Sequence, residues 1–87
     1  MGISTIVHGH ALVHGLREED IVYAWEHFLA KRMRVGGDYW VAVGFDRYGH
    51  EIEMVAAALA DGRALIIHAM CPATEKVKRE LGLSRRR

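Results

Sequence analysis

The spacing of hydrophobic and polar positions changes several times along the chain, and each change predicts a boundary between elements. The β-branched run Ile3 to Val7 is typical of a short edge strand, and His10 to Gly15 favours one or two helical turns. Three acidic residues, Glu18 to Asp20, then stand where a helix dipole favours negative charge. The positions that follow at spacings of three and four form one mainly apolar stripe: Ile21, Ala24, Trp25, Phe28, Leu29 and Arg32. We therefore predict one helix that ends before Gly36-Gly37, with its aromatic stripe in the core.

The next part of the chain predicts three strands joined by tight turns. Residues 39–46 are rich in aromatic and β-branched residues, and the turn 47–50 contains a glycine. In the second strand Ile52 and Met54 alternate with Glu51 and Glu53, so the glutamates are expected on a solvated face. An Asp-Gly turn and a third strand, Ala64 to Met70, complete the meander.

The last predicted element is a helix after Pro72, with Glu early, Lys and Arg late, and Gly82 at its end. The expected fold class is α+β: N-terminal helices packed on one face of a three- to four-stranded antiparallel meander, with a C-terminal helix. The opposite face is expected to be partly open. Residues 1–87 are interpreted as a single domain, with a core of residues 1–70 and a basic helix and tail of residues 71–87.

Composition is that of an ordinary globular chain: 51% of the 87 residues are hydrophobic and 26% are charged. The net charge of +1 hides a split, because residues 1–70 carry −3 and residues 71–87 carry +4. The basic residues of the C-terminal part are Lys76, Lys78, Arg79, Arg85, Arg86 and Arg87. They are predicted to neutralise phosphates; the alternative is a solvated helix with a frayed tail.

Cys71 is the single cysteine, so no intrachain disulfide is expected and a reducing, cytoplasmic setting fits best. The N-terminus lacks the charge and apolar pattern of a signal peptide, and no uncharged stretch is long enough to span a bilayer. Common nucleotide-binding and hydrolase motifs are also absent from the sequence.

Histidines are the first candidates for chemistry. His8, His10 and His14 are spaced so that they could ligate a metal, although no Cys or acidic residue nearby completes the set, so no cofactor is expected. His68 lies within the apolar strand ALIIHAM, and alternation places it with Ile66 on the face that the helices leave uncovered. It is either a hydrogen-bonded structural residue or a general acid or base.

Five segments, taken in order, carry a family resemblance: His14-Gly15-Leu16 followed by Glu18-Glu19, YWVAVG at residues 39–44, the turn at residues 46–50, IIHAM at residues 66–70, and Ala73-Thr74 opening a basic helix. Their order and spacing resemble the BrnT-type toxins of the RelE-like superfamily, which are small bacterial toxins of type II toxin-antitoxin systems. The resemblance implies a RelE-like fold and metal-independent cleavage of RNA by basic residues and histidines.

The resemblance makes His14, His68 and Arg47 the catalytic candidates, although Arg47, in an exposed turn, is equally explained by solubility. The basic C-terminal residues would bind RNA or a cognate DNA-binding antitoxin, and the RNA is cut either free or on the ribosome. Val13 and Met70 stand where the family tends to have Lys and Arg. A second hypothesis is therefore a catalytically degenerate interaction module, and a third is a metal-binding module built on His8, His10 and His14.

Overall fold

The computed structural model describes residues 5–9 and 15–83, which form an α+β fold with two helices and a five-stranded mixed sheet. The elements in chain order are β1 (Thr5–Val7), α1 (Glu18–Glu26), β2 (Phe28–Met33), β3 (Tyr39–Phe45), β4 (Glu51–Ala58), β5 (Ala64–Met70) and α2 (Glu75–Glu80). The sheet order is β1-β5-β4-β3-β2, in which β2 to β5 run antiparallel and β1 pairs parallel with β5.

The predicted hairpin, the third meander strand and the C-terminal helix are confirmed, as is the start of the first helix at Glu18. Gly62 adopts φ of +90°, as the predicted turn before β5 requires. The predicted helical turns at residues 10–14 lie outside the described residues.

The predicted end of the first helix is wrong, because α1 stops at Glu26 and Phe28–Met33 forms strand β2. Ile21, Ala24 and Trp25 already bury the apolar stripe within nine residues, whereas the next two members, Phe28 and Leu29, are about half exposed. The segment FLAKRM favours a helix by only a few tenths of a kcal/mol per residue, roughly, and pairing with β3 outweighs that preference. Tertiary hydrogen bonding therefore overrides the local pattern.

The two helices pack on opposite faces of the sheet, which corrects the prediction that all helices share one face. Ile21 and Trp25 of α1 belong to one core cluster with Ala42, Met54 and Ile66. The second cluster joins Val77 of α2 and Ala73 to the other face of β3, at Val41 and Val43. The meander is also not the whole sheet, because β1 adds a parallel strand at one edge and β2 an antiparallel strand at the other.

A β-bulge in the β4–β5 ladder decides which way His68 points. Ala56 pairs with Ile66, but the next residue back, Val55, pairs with His68, so Ile67 is the extra residue. Ile66 therefore packs on the α1 side, while His68 shares the α2 side with Val55. Strict alternation, which placed Ile66 and His68 on one face, fails here.

The start and the end of α2 are both fixed by capping bonds. Thr74 is the N-cap and its hydroxyl accepts a bond from Val77 N–H. At the other end Gly82, with φ of +76°, donates to Arg79 O, and Leu83 donates to Lys78 O at 2.7 Å, the two bonds of a Schellman motif. No helix within residues 5–9 and 15–83 is long and apolar enough to cross a membrane.

Candidate functional site

The site is built around a buried carboxylate and a histidine on neighbouring strands. Glu53 of β4 has a side chain that is only 7% exposed, whereas the side chain of His68 on β5 is 34% exposed. His68 Nε2 lies 2.8 Å from Glu53 Oε2. A partly exposed histidine held by a buried carboxylate has the arrangement used for proton transfer.

Thr74, the N-cap of α2, holds the second oxygen of the same carboxylate. Its backbone N–H lies 2.8 Å and its hydroxyl 2.7 Å from Glu53 Oε1. The hydroxyl donates to Glu53 while accepting the weaker bond from Val77 N–H. The beginning of α2 is thus tied to the carboxylate that orients His68.

The carboxylate is kept ionised despite its burial. Burial alone would raise the pKa of Glu53, but the bonds from Thr74 and His68 together outweigh it, and the pKa lies below its ordinary value. An ionised carboxylate only accepts hydrogen bonds, so Nε2 of His68 carries the proton in this pair.

The basic side chains of the C-terminal helix lie on the same face of the sheet. Lys76 and Arg79 are exposed, whereas Lys78 bridges Glu75 at 3.3 Å and Glu51 at 3.4 Å. The hydrogen bond with Glu75 and the charge of Glu51 raise the pKa of Lys78. The predicted phosphate-binding residues of α2 therefore lie on the face of the sheet that carries the Glu53–His68 pair, with Lys78 already partly neutralised.

Arg47, the third predicted catalytic residue, is not brought to His68. Its guanidinium lies 3.2 Å from Asp20 and 3.6 Å from Glu19, both on α1. Since α1 and α2 pack on opposite faces, Arg47 and His68 serve opposite sides of the sheet. The hydrogen bond with Asp20 raises the pKa of Arg47, and together these contacts fix the β3–β4 turn against α1.

Most of the remaining predicted site residues lie outside residues 5–9 and 15–83, which the structure describes. His10, His14, Val13 and Arg85–Arg87 belong to segments that are not described, while His8 is exposed after β1. Within residues 5–9 and 15–83 no three His, Cys, Asp or Glu side chains gather in a way that could hold a metal ion.

Glu53 and Thr74 are the site residues that the sequence analysis did not select. Glu53 was expected to be solvated, but α2 covers that face and leaves the residue 5% exposed. A signal was present in the sequence, because a Glu and a His on adjacent antiparallel strands are within reach of each other as diagonal neighbours, and Glu53 pairs with Met70, two residues from His68. Comparison with protein-family models, with curated proteins and with solved structures found no match for this chain.

Proposed function

We propose that this chain is the toxin of a bacterial type II toxin-antitoxin pair, of the BrnT kind with a RelE-like fold, and that it cleaves RNA without a metal. The observation that carries the proposal is the Glu53–His68 pair, with Nε2 and Oε2 2.8 Å apart. The exposed cations of α2, Lys76 and Arg79, support it because they lie on the same side of the sheet.

His68 supplies the proton transfer in the proposed reaction. Neutral His68 accepts the proton of a ribose 2′-hydroxyl, and the 2′-oxygen attacks the adjacent phosphorus. The bond from phosphorus to the 5′-oxygen breaks, leaving a 2′,3′-cyclic phosphate and, after proton return, a 5′-hydroxyl. Glu53 stabilises the transient imidazolium, and cations of α2 stabilise the charge on the phosphorane.

The cytoplasmic antitoxin partner is proposed to cover the same basic surface, at Lys76, Lys78 and Arg79. Co-expression of such a partner would then neutralise the cations that RNA needs. Because salt screens the attraction between these exposed cations and an acidic partner, binding is expected to weaken as salt rises.

Induced expression in a bacterium tests the proposal. The wild-type chain should arrest growth, and His68→Ala should relieve the arrest at equal soluble protein level. His27→Ala is the matched control, because His27 is exposed and bonds only its own helix at Tyr23 O. Normal growth with abundant soluble wild-type protein contradicts the proposal.

The engagement of Arg47 with α1 favours a second candidate, an interaction module without catalysis. In that case the cation expected in the active site acts only in the fold, through Asp20 and Glu19. The same experiment separates the two functions, because a module that acts by binding alone keeps its effect on growth when His68 is replaced.

A further inference from the structure

Strand β2 forms one border of the sheet and presents unpaired backbone groups there. In the described part of the chain its neighbour is β3 alone. Arg34 N–H donates to Tyr39 O at 2.8 Å, and antiparallel strands alternate inward and outward backbone groups. The N–H and C=O groups of Lys31 and Met33 therefore point away from β3, toward the open edge.

Exposed apolar side chains are concentrated at this edge. Six large hydrophobic residues are exposed among those described, and five of them lie in β2, β3 or the loop between: Phe28, Leu29, Val35, Tyr39 and Phe45. Phe28 is 47% and Leu29 53% exposed. Phe28 and Leu29, exposed on an edge strand, are typical of an interaction surface.

The two faces beside β2 have different chemistry. On the α1 side the ammonium of Lys31 is folded over aromatic rings, 4.1 Å from the centre of Trp25 and 4.3 Å from that of Phe28. That side therefore presents aromatic rings, and cation–π contacts hold the ammonium of Lys31 over them.

On the α2 side cations outnumber carboxylates. Arg32 pairs with Val41, whose side chain lies under α2, and Arg34 forms two hydrogen bonds with Glu80 at 2.8 and 3.1 Å. The bond from Arg34 lowers the pKa of Glu80 against the effect of burial, and the charges of Lys76 and Arg32 lower it further. Arg34 contacts this carboxylate directly, whereas Arg32 and Lys76 act on it through their charge.

We propose that β2 accepts an extended segment of another protein as a sixth strand, one that alternates acidic side chains on the α2 side with apolar side chains on the α1 side. Main-chain bonds at Lys31 and Met33 would give affinity, and the alternating side chains would give specificity. A second copy of β2 fits less well, because Phe28–Met33 contains no acidic residue to meet Arg32. The proposal stands independently of RNA cleavage.

A seven-residue peptide that alternates valine and glutamate, blocked at both ends, is the probe. Added to the full chain, it should bind saturably and slow amide hydrogen exchange at Lys31 and Met33. A peptide with lysine in place of glutamate should bind about tenfold more weakly, since like charges would then face Arg32. Arg32→Glu should reverse that preference, while Arg63→Glu, in the exposed β4–β5 turn, should leave it unchanged.

Backbone methylation separates strand addition from simple charge attraction. One version of the peptide is N-methylated at its valines and another at its glutamates. Only one edge of an added strand faces β2, so one version should lose binding and the other keep it. If both methylated peptides bind, or if neither does, the proposal is wrong. It is also wrong if the chain does not bind the peptide but self-associates, and Met33→Pro makes it monomeric.

Discussion

Replacing Glu53 with glutamine isolates the charge that holds His68 and Thr74. The carboxylate accepts three hydrogen bonds while its side chain is 7% exposed. Bonds to a charged acceptor contribute about 1.5–3 kcal/mol each and neutral ones about 1 kcal/mol. Glutamine offers one oxygen, which serves Thr74, and its amide cannot accept from His68 Nε2–H. Part of these losses is offset because a neutral side chain costs less to desolvate than a charged one. We therefore expect Glu53→Gln to lower the free energy of unfolding by about 2 kcal/mol.

Urea unfolding at pH 7 measures this loss, and Glu51→Gln is the control. Glu51 has a side chain that is 26% exposed and pairs with Lys78, so its replacement should cost less than about 1 kcal/mol. If the Glu53→Gln cost at pH 7 is below about 0.5 kcal/mol, the carboxylate does not hold this site together.

The pH dependence gives a second check on the same variant. Because the folded-state pKa of Glu53 lies below its ordinary value of 4.5, its stabilisation is complete above that pH and is lost as the pH falls through the folded-state pKa. The difference in stability between wild type and Glu53→Gln should therefore shrink below about pH 4.5. A difference that stays constant in acid contradicts the assigned ionisation.

Two further changes test the packing that positions the site. Gly44→Ala should lower the free energy of unfolding in urea by about 3 kcal/mol, because the new Cβ would overlap the carbonyl oxygen of Ala24. Gly9→Ala is the control, since its new Cβ meets no atom within 4 Å and should leave stability nearly unchanged. Equal losses in the two variants would contradict the close approach of α1 to β3. A double-mutant cycle on Arg34 and Glu80 should give a coupling free energy of about 0.5 kcal/mol in the same assay, because their side chains are 39% and 27% exposed. A coupling free energy of zero would mean that this pair does not hold α2 against the segment that follows β2.

Local patterns in the sequence were sufficient where each element buries its own apolar face. The hairpin around residues 47–50, strand β5 and the C-terminal helix follow from β-branched runs, turn glycines and the placement of charge along the helix. The local patterns failed at β2, because the residues of β2 have helical spacing but their backbone hydrogen bonds go to β3. The segment FLAKRM alone does not indicate which strand it pairs with.

The candidate site was predictable only in part, for a related reason. His68 stands out as an ionisable residue in an apolar strand, but its partner depends on the bulge at Ile67 and on α2 crossing the face that holds Glu53. Both are long-range features. Arg47 pairs with Asp20 of α1, a contact between residues far apart in the sequence that the exposed turn alone did not indicate.

Cleavage of a defined RNA by the purified chain is the decisive test of the proposed ribonuclease activity. We expect fragments ending in a 2′,3′-cyclic phosphate and a 5′-hydroxyl, and no cleavage where the ribose carries no 2′-hydroxyl. His68→Ala should lose cleavage, and His27→Ala should retain it. Intact RNA with the folded wild-type chain, or equal cleavage by His68→Ala, would contradict it.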